Sequence, residues 1–277
     1  MRKDVLQWLV PIVLAIILAG SLWFYWWKVN RPANDIMPEV STEPSSATEE
    51  EPPAGPVHPL EETGEAAAEQ PADLRPLPPL EESDQYFKME LADLFGESLD
   101  EKLVEDSLVE RVVATIDNLP RERIADRIKP MSGISGQLLA SEGDAEGEFV
   151  LSPENYQRYD TIVALVENAD TADMEGLYRR YYPLLQKAYV NLGYPDGYFN
   201  DRVIEVIDHL LETPEVEGPV KLVRPHVLYE YADPELEELS PGQKLMLRMG
   251  NEHAAKLKEK LREFRGRIVA TSDGAGD

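Results

Sequence analysis

The chain has 277 residues, 53 acidic against 27 basic for a formal net charge of −26, and it contains no cysteine. That charge repels nucleic-acid phosphates and anionic headgroups, which argues against DNA, RNA or peripheral lipid as partners. The lack of cysteine excludes disulfides, thiolate metal sites and cysteine nucleophiles.

Residues 1–4 are a short tail. From Val5 to Trp27 no side chain is charged, and residues 5–27 as a helix span roughly 30–35 Å, enough for a hydrocarbon core of ~30 Å. Arg2 and Lys3 precede the run, and Lys28 and Arg31 follow it. Trp23, Trp26 and Trp27, with Phe24 and Tyr25, make an interfacial aromatic belt at its C-terminal end, and Trp8 lies near its start. A cleaved signal peptide needs a shorter apolar region and a small-residue cleavage site. Here the run continues through bulky aromatics, so a retained transmembrane anchor is expected and the membrane is a partner. The flanking basic residues balance, and the free amino terminus tips the count toward a cytoplasmic N-terminus with the remainder outside.

Residues 28–82 read as a disordered, acidic, proline-rich linker. Between Arg31 and Ser83 lie eleven of the 22 prolines, many glutamates and a single basic residue, Arg75. Such a chain buries too little apolar surface to fold alone. A tether of about 50 residues spans ~40 Å as a coil and up to about 150 Å fully extended. The stretch from Leu74 to Leu80, Leu-Arg-Pro-Leu-Pro-Pro-Leu, also has the spacing that proline-recognising grooves accept, although that spacing is common in proline-rich chain.

Residues 83–269 read as a mostly helical soluble domain, followed by a disordered tail over 270–277. Ser98 and Glu101 form a capping-box pattern, and Ser152-Pro153 place a cap and an N1 proline ahead of a helix carrying Tyr156, Tyr159, Val163 and Val166. A long helix over about 171–192 carries Leu177, Tyr181, Leu184, Leu185 and Ala188 on one face, with a kink expected at Pro183 and a C-terminal cap at Gly193. Tyr194-Pro-Asp-Gly-Tyr198 is a turn, after which Asn200 is expected to cap a helix running to Leu211. A small β element is expected near 219–231, as two short strands around Pro225, with Glu148 to Leu151 a candidate third. Ser240-Pro-Gly-Gln243 restarts the helix with a capping box, and that helix stops at Gly250. A last helix carries Leu257, Leu261, Phe264 and Ile268, a face that serves either the core or a partner helix.

Several segments carry a family resemblance: Leu192-Gly-Tyr-Pro-Asp-Gly-Tyr-Phe-Asn-Asp201, Leu222-Val-Arg-Pro225, Tyr231-Ala-Asp-Pro-Glu-Leu236, the stretch from Leu239 to Gly250, and Asp117-Asn-Leu-Pro120. Together they resemble the bacterial domain-of-unknown-function family number three thousand and fourteen. The resemblance implies a single-pass protein of a Gram-negative bacterium, in the inner membrane, with the C-terminal domain in the periplasm. It carries no activity, so no functional residue is transferred from it.

The residues offer few chemical candidates. Asp201, Glu205, Asp208, His209 and Glu212 share the polar face of the 200–211 helix, and spacings of four and three place Glu205, His209 and Glu212 within reach of one another. A carboxylate–histidine site with Asp201, Glu205 and His209 is one reading. A solvated face in an acid-rich protein is the plainer one. With histidines scattered at His58, His209, His226 and His253, neither a metal site nor a cofactor is expected. Tyr194, Asp196, Tyr198 and Asp201 around the turn are candidates for holding a sugar or peptide, against the plainer reading of the tyrosines as core. Arg121, Arg123, Arg127 and Lys129 form a basic patch that either meets an anionic partner or pairs with nearby carboxylates. No H-E-x-x-H, glycine-rich phosphate loop, G-x-S-x-G or S-x-x-K pattern occurs.

The expected architecture is therefore mainly α: a transmembrane helix, a disordered stalk and a helical domain with a small β element. The expected function is a non-enzymatic envelope protein presenting a binding or adaptor domain to an envelope protein or cell-wall partner. The alternative is an envelope hydrolase working from the 200–211 helix.

Overall fold

Helix-forming sequence with apolar residues at 3.6-residue spacing fills most of the computed structural model, which describes residues 55–60, 76–132, 138–143 and 147–269. The anchor expected over residues 5–27 and the tail over 270–277 lie outside the described residues. Among the described residues no helix is long and apolar enough to cross a membrane. The helices are α1 (Asp84–Phe95), α2 (Glu97–Asp100), α3 (Leu108–Asn118), α4 (Glu154–Gln157), α5 (Asp160–Asn168), α6 (Thr171–Asn191), α7 (Phe199–Leu211), α8 (Pro234–Glu237) and α9 (Pro241–Val269). The strands are β1 (Ala140–Glu142), β2 (Phe149–Leu151), β3 (Lys221–Val223) and β4 (Glu230–Tyr231).

Three apolar clusters organise these elements. The largest brings Leu108, Val109 and Val113 of α3 against Tyr181, Leu185 and Ala188 of α6 and Phe199, Val203 and Ile204 of α7. Asp170 starts α6 by accepting from the amides of Ala172 (2.7 Å) and Asp173 (3.4 Å), two donors the helix itself leaves unpaired. The helix runs on through Pro183 and ends before Gly193, whose φ of +118° suits the expected cap. Asp84 ties α1 to α3, its carboxylate accepting from the amides of Ser107 (2.6 Å) and Leu108 (2.8 Å) at the N-terminus of α3.

The second cluster lies on an antiparallel sheet of order β1-β2-β3-β4. Leu151, Val220, Leu222 and Tyr231 pack there against Leu236 and Leu247. The β element expected near 219–231 is thus part of a larger sheet. Ala140 pairs with Leu151 and Phe149 with Leu222, so β1 and β2 join it from a distance in sequence. Ala-Ser-Glu carries no strand signature of its own, and β1 forms because β2 offers an edge. Within the element expected near 219–231, Val227 and Leu228 lie outside any strand and project at 78% and 76% exposure between β3 and β4.

The third cluster sets Tyr159 and Val163 against Met246, Met249 and Ala254 across the bend in α9. Here the Ser240 capping box forms as expected: the Gln243 amide donates to Ser240 Oγ (3.2 Å), and the Ser240 amide donates to Gln243 Oε1 (3.3 Å). Gly250, at φ +84° and ψ 161°, breaks the helix where the sequence predicts a stop. Leu257, Leu261, Phe264 and Ile268 pack onto the domain, the core alternative for that face.

Other local expectations change. Ser98 lies inside α2, for which Gly96 is the capping residue. The helix expected from Ser152 onward is divided into α4 and α5 around Arg158 and Tyr159.

Two outcomes follow from this packing. A Cβ on residue 250 would lie 3.1 Å from the Tyr156 ring in a backbone conformation reserved for glycine. Gly250→Ala is expected to cost about 1–3 kcal/mol, read as a lower urea midpoint. Burial raises the phenols of Tyr159, Tyr178, Tyr181 and Tyr231 above their ordinary range. Unfolded tyrosine titrates near ~10, so the folded state keeps protons that the unfolded state gives up at higher pH. This stabilisation is fully present below ~10 and is lost above it. The urea midpoint should fall between about pH 9 and about pH 11, with phenolate absorbance rising as the chain unfolds.

Candidate functional site

The site forms where the turn after α6 hands the chain to α7. Tyr189 stacks on Tyr194 with ring centroids 4.6 Å apart. Gln186 fixes the turn: its Nε2 donates to the Gly197 carbonyl (2.7 Å), and its Oε1 accepts from the Phe199 amide (2.7 Å). The helix therefore begins at Phe199, after Tyr198, and Asn200 is not its cap. Asn200 is instead fully buried within the first turn. Its Oδ1 accepts from the Tyr178 hydroxyl (3.0 Å), and its Nδ2 donates to the carbonyls of His58 (2.9 Å) and Ile268 (3.4 Å). Asp201 accepts from the backbone amides of Val57 (2.9 Å) and His58 (2.7 Å).

These bonds revise the linker expected over 28–82. Residues 55–60 lie against the domain, with Leu60 7% exposed in the largest cluster. Leu80, at 3%, enters the same cluster at the start of a 3-10 turn, Leu80–Glu82, and Ser83 Oγ donates to its carbonyl (2.8 Å). A proline-rich chain cannot assemble its own core, but it can lay single leucines into a core built elsewhere. The domain thus takes in chain well before residue 83.

Beneath the turn lies an ion cluster centred on the buried Asp117. Asp117, at the end of α3, receives Arg202 Nε (2.9 Å), an Arg121 terminal nitrogen (2.9 Å) and the Tyr194 hydroxyl (3.3 Å). Its backbone carbonyl also accepts from Arg202 (2.6 Å) and Arg121 (3.2 Å). Arg202 reaches on to Glu205 at 2.7 Å, and Arg121 also contacts the Tyr194 hydroxyl. Burial opposes the charge on both guanidiniums. Asp117 for Arg121, and Glu205 with Asp117 for Arg202, outweigh it and hold both above their ordinary range.

The polar face of α7 does not converge on one centre. Glu205 pairs with Arg202, Asp208 receives Arg265 at two points (2.6 and 2.8 Å), and His209 Nε2 lies 2.8 Å from Ser240 Oγ. Asp201 is engaged with backbone amides. Among the described residues no group of three or more histidine, aspartate or glutamate side chains is placed to hold a metal ion. Of the turn residues, Tyr194 is drawn into the ion cluster, while Asp196 and Tyr198 remain exposed. In the basic patch Arg121 pairs with Asp117 and Lys129 with Asp126 (2.6 Å).

Sequence reasoning missed Gln186, Arg202 and Tyr178, whose roles depend on partners far along the chain. It also missed a cavity of about 310 Å³ at the α9 bend, lined by Tyr156, Val220, Leu247, Met249, Gly250 and His253. There His253 contacts Asp160 (3.2 Å) and the Met249 carbonyl (3.0 Å).

Removing one member of a buried ion pair leaves its partner's charge uncompensated. Asp117→Asn is therefore expected to lower the unfolding free energy by about 3 kcal/mol, because Arg202 is largely buried while Arg121 retains solvent. Asp126→Asn, at an exposed pair, should leave the denaturation curve unchanged.

No curated protein and no solved structure matches this chain. A family model described as a protein of unknown function, DUF3014, matches residues 108–265, more than half of the sequence. That span includes Asp117, the 194–201 turn and the Ser240 capping box, the places where α3, α7 and α9 are locked. The chain belongs to the DUF3014 family.

Proposed function

We propose that this chain is a single-pass, non-enzymatic envelope protein of the bacterial inner membrane, whose helical domain acts as a periplasmic binding or adaptor module. The uncharged run from Val5 to Trp27 supports the anchor, and the acidic proline-rich stretch after it supports a tether. The observation that carries the binding role is the use made of Asp201. Both its carboxylate oxygens accept backbone amides from Val57 and His58. A carboxylate used this way holds polypeptide; it is not poised to activate water. Glu205 and His209, its companions in the hydrolytic alternative, face different partners.

The test is crosslinking of the full-length protein in native envelopes, with captured proteins identified by mass spectrometry and confirmed by reverse pull-down. Reproducible capture of one envelope protein is expected, together with retention in the membrane after alkaline carbonate washing. Release by carbonate, or turnover of cell-wall fragments by the purified chain, would overturn the reading.

A further inference from the structure

We infer that Asn200, Asp201 and the adjoining core surface form a docking site for Pro-x-x-Pro-Leu segments, held in cis by residues 56–60 and open by exchange to such a segment on a basic-flanked partner. The pattern occurs twice, as Pro56-Val-His-Pro-Leu60 and Pro76-Leu-Pro-Pro-Leu80. Each copy buries its terminal leucine in the same apolar cluster, Leu60 at 7% and Leu80 at 3% exposure. The second copy leads directly into α1 and belongs to the domain. The first is joined to it only through residues 61–75.

The first copy is held in the way a peptide ligand is held. Its hydrogen bonds run from the backbone of Val57 and His58 to the side chains of Asp201 and Asn200. They demand no particular side chain at residue 57, and Val57 is 73% exposed. Selectivity comes from the buried leucine, with the prolines lowering the entropy lost on docking. The receptor side is preset, because Tyr178 and the Ile268 carbonyl orient the Asn200 amide without help from the segment. The cis copy competes at high local concentration, so a free ligand binds well only when that copy is out of the site.

Charge selects the incoming ligand. Glu49, Glu50 and Glu51 precede the cis copy, and Glu61 and Glu62 follow it, on a chain of net charge −26. A second copy's stalk is therefore repelled, whereas the same pattern between basic residues is attracted.

The inference deepens the binding-domain reading and rests on it. Its test, however, uses only purified protein and synthetic peptides, so failure to find an envelope partner leaves this test intact. The probes are a fluorescent peptide of residues 52–63 and a twin with lysine at both glutamates. The host is the full-length chain in detergent carrying Leu60→Asp, which expels the cis segment.

Binding to Leu60→Asp is expected to be at least about tenfold tighter than to the unaltered chain. The lysine twin should bind more tightly than the native peptide and weaken with salt. Adding Asp201→Asn should reduce binding at least about tenfold. Folding is checked by circular dichroism. If Leu60→Asp does not fold, the host becomes a chain with residues 55–60 replaced by alternating glycine and serine. Should that chain also fail to fold, the segment is an integral part of the core and the inference falls. It falls equally if a folded host binds neither peptide, or binds them regardless of Asp201. Tighter binding of the acidic peptide would overturn the basic-flanked partner in favour of a second copy.

Discussion

Asp117 is a carboxylate at the end of one helix, paired locally with Arg121 four residues on, that Arg202 and Tyr194 must reach from elsewhere in the chain. Taking such charges out of water costs several kcal/mol per ion, an expense offset only when the whole constellation is assembled. With α7 shifted along α3, Asp117 would keep only Arg121, and Arg202 would lose its bonds to the Asp117 carboxylate and carbonyl. The cluster therefore acts less as a source of net stability than as a condition on the arrangement. Apolar contacts among Val113, Leu185 and Val203 favour many packings of α3, α6 and α7. The bonds from Arg202 to Asp117 add direction to that packing.

The placement of α7 decides what its polar face can do. Its own spacing brings Glu205, His209 and Glu212 near one another, and in an isolated helix they would form a small acid–histidine patch. Glu205 pairs along the helix with Arg202, which the folded chain draws to Asp117 of α3, while Arg265 takes Asp208 and Ser240 meets His209. The residues that look most chemical in one dimension are distributed among joints with α3 and α9. The proposed binding role rests on the start of α7, where Asn200 and Asp201 turn their polar groups toward backbone brought in from the proline-rich stretch.

That contact changes the meaning of the linker. On the proposed reading of residues 5–27 as an anchor, a tether that returns to its own domain shortens the free span between the two, and release of residues 55–60 would lengthen it again. In the proposed arrangement, ligand exchange at Asp201 and reach from the membrane are then two consequences of one event.

Local chemistry was readable in the sequence wherever its cause is local. The Ser240–Gln243 capping box, the stop at Gly250, the long helix ending before Gly193 and the mainly helical composition follow from caps, glycine stereochemistry and apolar periodicity within one or two turns. The family segments were legible too, and the match over residues 108–265 bears them out. What the tertiary structure alone decided is which distant groups meet. It recruited Ala140 to Glu142 as a strand because Leu151 offered an edge, and it buried Asn200 as a bridge where its sequence position favoured a cap. It also drew Leu60 out of a proline-rich linker into the core. In each case the residue's own preference is weak, and the free energy comes from a surface that exists only after other elements have packed.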